Sequence, residues 1–441
     1  MRIQPILSVG DVIGGQLGGY QMTGIPDGLG AYRTGRSTLE VVANHELSGS
    51  APAGVSARVS QITLDTRMRV RAARYALDGT EGFLRFCSSN LTMLDGVPWY
   101  FTGEESTDAG GPPAGGRGGS SIALNAQTSR WYETRHFGLF AHENIMPVKQ
   151  LDMAMFVSTE DGPAGVSQLY AYTATTFGDA IGGNGQLWVW KPDQAVTDGN
   201  PSTNDIAKGQ TLHGRFVPLS QAENANASTL EAAAQDKGAF DFVRLEDVAV
   251  SATGRGVLYF ADTGAAGQES VKGRVYKLGV DPHNPTQASL SLLLDGDAGD
   301  DIVNPDNLDV SQRVMVIQED RNAEHRGPEV AGGYGRVLVY DLASGSLRPM
   351  ARVNTPASLP PGTWESSGVI NASRLLGEDW WLLDVQAHDQ TAPQPGPDLE
   401  VDSSVGEDGQ LLAIRIPTAP NAPEPCVPRD RLVDHREVTC S

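Results

Sequence analysis

The chain has 441 residues, an ordinary apolar content of 39% and a formal net charge of −21. That charge disfavours nucleic acids and anionic membrane surfaces as partners, and it suits a protein that binds cations. No apolar run reaches the ~18 residues of a membrane-crossing helix, so no membrane span is expected.

Fifty-one glycines, 27 prolines and many short Val, Ile, Leu and Tyr runs favour strands and turns over helices. The opening "MRIQPILSVGD" reads as a strand and lacks the long apolar core and cleavage site of a signal peptide. "PDGLGAYRTGRSTLEVVANHE" (Pro26 to Glu46) reads as two strands around a turn, with an acid near each end. "CSSNLTMLDGVPWYFTGEES" (Cys87 to Ser106) repeats the pattern with a cysteine in first place, and "HENIMPVKQLDMAMFVSTED" (His142 to Asp161) repeats it with acids again. An insertion over about 175–240 holds "GQLWVWKPDQ" and a helical stretch, Ser228 to Lys237.

The pattern resumes in "RLEDVAVSATGRGVLYFADTG" (Arg244 to Gly264), with strands Val248–Ser251 and Val257–Ala261; "GRVYKLGV" and "ASLSLLLD" follow. Four strands in about 50 residues is a meander the size of one propeller blade. The next unit is "PDNLDVSQRVMVIQED", "GRVLVYDL" and "SLRPMARV". The last, "WESSGVINASRLLGEDWWLLDVQAHDQ" with "GQLLAIRIP", lacks a fourth strand, and the N-terminal "RIQPILSV" fills that gap. A tail over about 418–441 carries Cys426 and Cys440, a pair whose disulfide would indicate an oxidising compartment. The expectation is an all-β chain: one six-bladed β-propeller domain, residues 1–441, of four-stranded blades. The N-terminal strand closes the ring, and the insertion lies in the third blade.

The six units begin at Asp27, Cys87, Glu143, Glu246, Asp306 and Glu365, with gaps of 60, 56, 103, 60 and 59 residues. In each hairpin the start of the first strand and the end of the second lie at one end of the blade. The second strands end at Glu46, Glu104 or Glu105, Glu160 or Asp161, Asp262, Glu319 or Asp320, and Asp384, His388 or Asp389. Carboxylates gathered around one mouth repel one another, and metal cations are the natural counter-charge. Turn acids that are simply solvated are the plain alternative at any single position.

With these motifs in order, "GIPDGLGAY", "VVANHE", "PWYFTGEE", "AHENIMPV", "RLEDVAV" and "NPDNLDV" resemble the PhoX family of bacterial alkaline phosphatases and related calcium-binding propellers. The match runs from about Gly24 to His388 as scattered short motifs. The resemblance implies a periplasmic or secreted, monomeric enzyme that hydrolyses small-molecule phosphate monoesters with calcium and ferric iron at one propeller mouth. It implies metal ligands among Glu46, Cys87, Glu104, Glu105, Glu143, Glu246 and Asp306, to which the repeat adds Glu365. Calcium takes six to eight oxygens in irregular geometry, whereas a thiolate suits iron. Cys87 in place of an acid is therefore the sharpest clue, set against the common fate of a lone cysteine as an inert core residue.

Cys87, Glu143 and Arg321 are the candidate catalytic residues. Arg326, Lys149 and Arg244 are further cations for a phosphate, and His45 and His142 each precede a ligand that they are placed to orient. The sequence departs from the family in showing no twin-arginine export signal, in the glycine before Glu104 where a cysteine is expected, and in the acidic "IQED". "GGPPAGGRGGSS" lacks the ending of a phosphate loop, and "DGDAGDDIVNPD" has Asp300 where a calcium loop needs glycine. No nucleophile elbow and no Cys-x-x-Cys pair occur. Two other readings stay open: a calcium-only esterase or phytase-like hydrolase with Cys87 merely buried, and a non-catalytic calcium-stabilised propeller that binds a partner.

Overall fold

The computed structural model describes residues 1–14, 19–48, 56–111, 116–194, 199–219, 225–321, 333–395, 401–417 and 438–440, with backbone alone for 389–395, 401–406 and 438–440. The chain is all-β and divides into two compact units. One is built from Met1–Phe86 and Asn307–Ser441, the other from Cys87–Gly111 and Gly115–Asp306.

Among the described residues the first unit contains three large antiparallel sheets and a two-stranded one, Val12–Ile13 with Tyr20–Gln21. Pro26–Arg33, Thr38–Ser48, Ser56–Asp65 and Val70–Leu77 form a four-stranded meander. Pro305–Val310, which enters this unit at Asn307, with Val314–Glu319, Arg336–Asp341 and Leu347–Val353 forms a second, to which Val438–Cys440 adds a fifth strand. Trp364–Asn371, Trp380–Pro395 and Val401–Arg415 form the third. Its fourth strand is Arg2–Ser8, paired antiparallel with Val401–Arg415 from Arg2 opposite Arg415 to Ser8 opposite Gln410. The N-terminal strand thus takes the place the sequence left vacant.

The second unit contains Asn90–Leu94, Val97–Gly103, Ser121–Asn125 and Arg130–Glu133 as one meander. Its first turn is a two-residue hairpin loop, with Asp95 (φ 50°) and Gly96 (φ 81°) between the paired Leu94 and Val97. Two consecutive positive φ angles are what the twist of a tight hairpin demands, and Asp-Gly supplies them. The rest of the unit is a single nine-stranded sheet. It begins with His142–Val148, Ala154–Glu160, Leu169–Ala174 and Gly185–Pro192, and it ends with Gln287–Asp295, Arg274–Val280, Val257–Asp262 and Leu245–Val250. Thr211–Pro218 joins the two halves, pairing with Gly185–Pro192 on one side and Gln287–Asp295 on the other. The span 175–240 thus supplies the fourth strand of one meander, a bridging strand, and the helix Ala227–Asp236. That helix starts where the Asn226 side chain accepts the Thr229 N–H at 3.0 Å, an N-cap bond.

Strand position in a meander tracks composition. His142–Val148 and Ala154–Glu160 are buried at every residue, whereas Thr211–Pro218 and Arg130–Glu133 alternate between exposed and covered positions. A strand covered on both faces is buried throughout, and one with a face toward solvent shows period two. The cores lie between neighbouring meanders of one unit, including the two halves of the nine-stranded sheet. Val148, Val157, Phe242, Phe260 and Leu290 fill one of them, and Phe101, Phe137, Phe156 and Leu230 another. In the first unit Leu29, Val41, Ile62 and Leu382 fill one core, and Val316, Val339, Trp381 and Ile414 the other.

Candidate metal centre

The inner strand of several meanders begins with a break in register. Pairing skips Asp27–Gly28 between Pro26 and Leu29, Glu143–Asn144 between His142 and Ile145, and Glu246–Asp247 between Leu245 and Val248. Such a bulge sets two residues against one and re-aims the side chain it carries. Three of the six positions aligned from sequence therefore share one local geometry, placed where the strand leaves its ladder.

In the second unit Glu143 and Glu246 meet Cys87, Glu105 and Asp306. Ligand atoms of Cys87, Glu105 and Glu143 all lie within 4.8 Å of one another, and so do those of Glu143, Glu246 and Asp306. Cys87 Sγ approaches Glu105 Oε2 at 2.5 Å, and the Ser88 N–H donates to Glu143 Oε1 at 3.3 Å. Cys87, Glu105, Glu143 and Glu246 are buried, and Asp306 is partly exposed. Acids this close and this dry repel one another unless protons or cations lie among them. The donors fit both metals that the resemblance implies: sulfur with two carboxylates suits iron, and three carboxylates suit calcium. Glu143 is common to the two triads.

Arg244 lines the same region. Its Nε donates to Asp161 Oδ1 at 2.7 Å, Nη2 contacts Asp161 Oδ2, and Nη2 lies 3.6 Å from Glu246 Oε1. Burial works against its charge, but Asp161, Glu246 and Glu105 more than offset this and hold it firmly protonated.

Other candidates go elsewhere. Glu104 is turned from Cys87 and fully buried; its carboxylate accepts backbone N–H bonds from Arg117 at 2.9 Å and from Gly119 and Ser120 at 3.1 Å. Asp262 likewise accepts from the N–H groups of Val243, Arg244 and Gly264 at 3.0–3.1 Å. Lys149 is exposed just past the far end of the strand that starts at His142. The His142 ring lies against Phe140 and contacts the Gly138 carbonyl at 3.1 Å, and burial pushes it down to about 4. His45, pushed down to about 3 chiefly by burial, contacts Ser60 Oγ at 2.6 Å and the Gly24 carbonyl at 3.2 Å. Both histidines are neutral packing groups. Arg326 and Cys426 lie outside the described residues.

Glu46, Glu365 and Arg321 belong to the first unit. Glu46 lies within 4.8 Å of Asp27, accepts from Gln386 Nε2 at 3.1 Å and pairs with Arg85 at 3.3 Å. Burial, then the Glu46 charge, push Asp27 up to about 7. Glu365 is buried against Asp320 and meets His388 Nε2 at 2.9 Å. Burial and Asp320 raise its carboxyl well above the usual range. Burial opposes the His388 charge, but Glu365 and Glu407 outweigh it and favour the imidazolium. The Arg321 guanidinium packs against Gly333, where a Cβ would stand 2.1 Å from its central carbon. Sequence reasoning underrated Arg244 and Asp320. The signal was available in the doublets Glu104-Glu105, Glu160-Asp161 and Glu319-Asp320, because adjacent strand residues point to opposite faces.

No family model and no curated protein matches the sequence. Among solved structures, Pseudomonas fluorescens PhoX in complex with vanadate, a transition state analogue, is similar with a TM-score of 0.67 and 14% identity over 94% of each chain. The periplasmic gluconolactonase PpgL of Pseudomonas aeruginosa is similar at a TM-score of 0.39 and 14% identity, covering 91% of this chain and 88% of its own. The α-L-arabinanase of Penicillium chrysogenum gives 0.45 and 9%, covering 93% and 97%. The first likeness is one of fold, and this chain has the all-β, propeller-like fold of the PhoX structure.

Proposed function

We propose that the chain is a metal-dependent hydrolase of phosphate monoesters, a six-bladed propeller with its site at the starts of the inner strands. The observation that carries this reading is the buried thiol of Cys87 set among the carboxylates of Glu105 and Glu143, with Glu143 shared by a second, all-oxygen triad. Cys87, Glu105 and Glu143 would hold ferric iron, and Glu143, Glu246 and Asp306 would hold calcium. Bound there, the metals would neutralise phosphoryl oxygens and lower the pKa of an attacking water.

The protein's own part is to fix and charge the site. Bulges aim Glu143 and Glu246 away from their ladders, and the Ser88 N–H steadies Glu143. Asp161 grips Arg244 through two nitrogens, which leaves a stationary guanidinium beside Glu246 to meet a phosphate anion. Glu46 and Glu365 remain candidate ligands in the other unit, each facing a second carboxylate. A periplasmic or secreted monomer acting on a small-molecule ester completes the proposal.

The all-oxygen triad favours one alternative, a calcium-only hydrolase. Iron and calcium content of protein purified without chelators, with hydrolysis of an aryl phosphate by wild type and Cys87→Ser, decides between them. Iron near one or more per chain, lost with activity in Cys87→Ser, supports the iron–calcium enzyme. Full activity in an iron-free Cys87→Ser protein supports the calcium enzyme, and no phosphate release by metal-replete wild type overturns both.

A further inference from the structure

The structure assigns a second calcium site, sharing no residue with the two triads, to the first unit around Asp384. Asp384 sits on the strand Trp380–Pro395, directly opposite Ser367, and is fully buried. Neither of its carboxylate oxygens has a hydrogen-bond partner among the described residues. The backbone group acting on it is its own amide N–H, which makes no hydrogen bond to either oxygen. Comparable buried acids in this chain are well supplied: Asp262 has three backbone donors, and Glu319 has a guanidinium at 2.7 and 2.8 Å. Glu246 and Glu365 each leave one buried oxygen without a hydrogen bond, but among the described residues only Asp384 leaves both.

Its surroundings are oxygen-rich and shaped. Pairing skips Gly368 between Ser367 and Val369, and Gly368 adopts φ 34°. A Cβ there would stand 2.5 Å from the Asp27 carbonyl oxygen and 2.9 Å from Asp384 Oδ1. Only glycine lets these two oxygens approach the same spot. The Asp27 carboxylate is buried beside them, held by Asn307 Nδ2 and Gln386 Nε2 at 3.4 Å each, and Ser367 Oγ donates to Asn307 Oδ1 at 3.2 Å. The amide donors are spent on Asp27 and Glu46, and none bonds Asp384.

A buried carboxylate with nothing to bond is costly, and one proton would satisfy one oxygen and leave the other bare. A divalent cation engages both, together with Asp27 and the Asp27 carbonyl. Every donor is a protein oxygen in a dry setting, which suits calcium; magnesium keeps several waters and demands a tight octahedron. The chemistry is that of a structural clamp tying the inner strand of the first meander to the last.

The test counts calcium in the full-length protein after chelation, by equilibrium dialysis against Ca²⁺ alone, with melting temperature read in parallel. Asp384→Asn is expected to bind one calcium fewer than wild type and to lose part of the calcium-dependent rise in melting temperature. Glu143→Gln is expected to keep that part. Where Asp384→Asn does not fold, Ser367→Ala decides: the expected result is roughly tenfold weaker binding of one calcium, the scale for a removed supporting group. An unchanged calcium count and affinity in the folded variant used, or a wild type that binds no calcium, overturns the site. Failure of the phosphatase reading shows instead as absent hydrolysis and iron, which leaves this count untouched.

Discussion

Glu104 and Glu105 are neighbours with opposite employment: Glu105 Oε2 faces the Cys87 sulfur at 2.5 Å, while Glu104 accepts the N–H groups of Arg117, Gly119 and Ser120. Their substitutions should separate cleanly. Glu105→Gln should lower metal content and hydrolysis, the latter by roughly 100-fold or more, beyond the range typical of merely supporting groups. Its chelated form should melt like chelated wild type. Glu104→Gln should do the reverse, because an amide NH₂ would then confront backbone N–H groups. A loss of about 2–3 kcal/mol in urea titration is expected, with metal content retained. Loss of metal in both variants would mean that the two acids act as one site.

Gly119 belongs to the same loop and has φ 81°. A Cβ there would lie 2.3 Å from the Phe140 carbonyl oxygen, so Gly119→Ala combines strain with a backbone collision. It should cost about 2 kcal/mol or more, read as a lower urea midpoint, and should weaken the seat of Glu104. A midpoint equal to wild type would show that the loop relaxes freely.

Much of this arrangement was legible before any coordinates. The acid-to-acid hairpins gave the meanders and the shared position of Asp27, Glu143 and Glu246, because four of the five gaps between units fall at 56–60 residues. The joining of two meanders by Thr211–Pro218 was not legible. Edge pairing depends on open backbone groups of two distant strands, and no side-chain pattern announces it. Which acid of each doublet serves the centre was also hidden. The alternation of strand faces predicts a split, but the backbone donors that claim Glu104 and Asp262 come from loops whose course the sequence leaves open.

Asp161 and Arg244 should be coupled. The carboxylate is almost wholly buried, and the guanidinium is 23% exposed. Removing the carboxylate leaves the guanidinium with only its longer contact to Glu246, so Asp161→Asn should destabilise the chain by about 3 kcal/mol. Pairing it with Arg244→Met should recover part of that loss, since the guanidinium that had lost its two-nitrogen grip is then gone. Additive losses in the double variant would show that the pair does not interact.

Glu160 gives the chain a pH dependence whose sign follows from burial. Burial, with the charges of Glu231, Asp161 and Asp241 adding to it against the Gln168 N–H, pushes its carboxyl up to about 8. Unfolded, the same group titrates near 4.3, so between about pH 4 and 8 the folded chain holds a proton that the unfolded chain has released. The folded state therefore gains most below pH 4, and this contribution is lost as pH rises through 8. Glu160→Gln keeps the shape and an oxygen to accept the Gln168 N–H at 3.0 Å, but has no proton to lose. The variant should match wild type below about pH 4 and exceed it above pH 8 by up to about 5 kcal/mol, measured by urea unfolding across the range. Parallel curves for the two proteins would place the titration elsewhere, with Asp241, pushed up to about 6 mainly by burial, as the next group to replace.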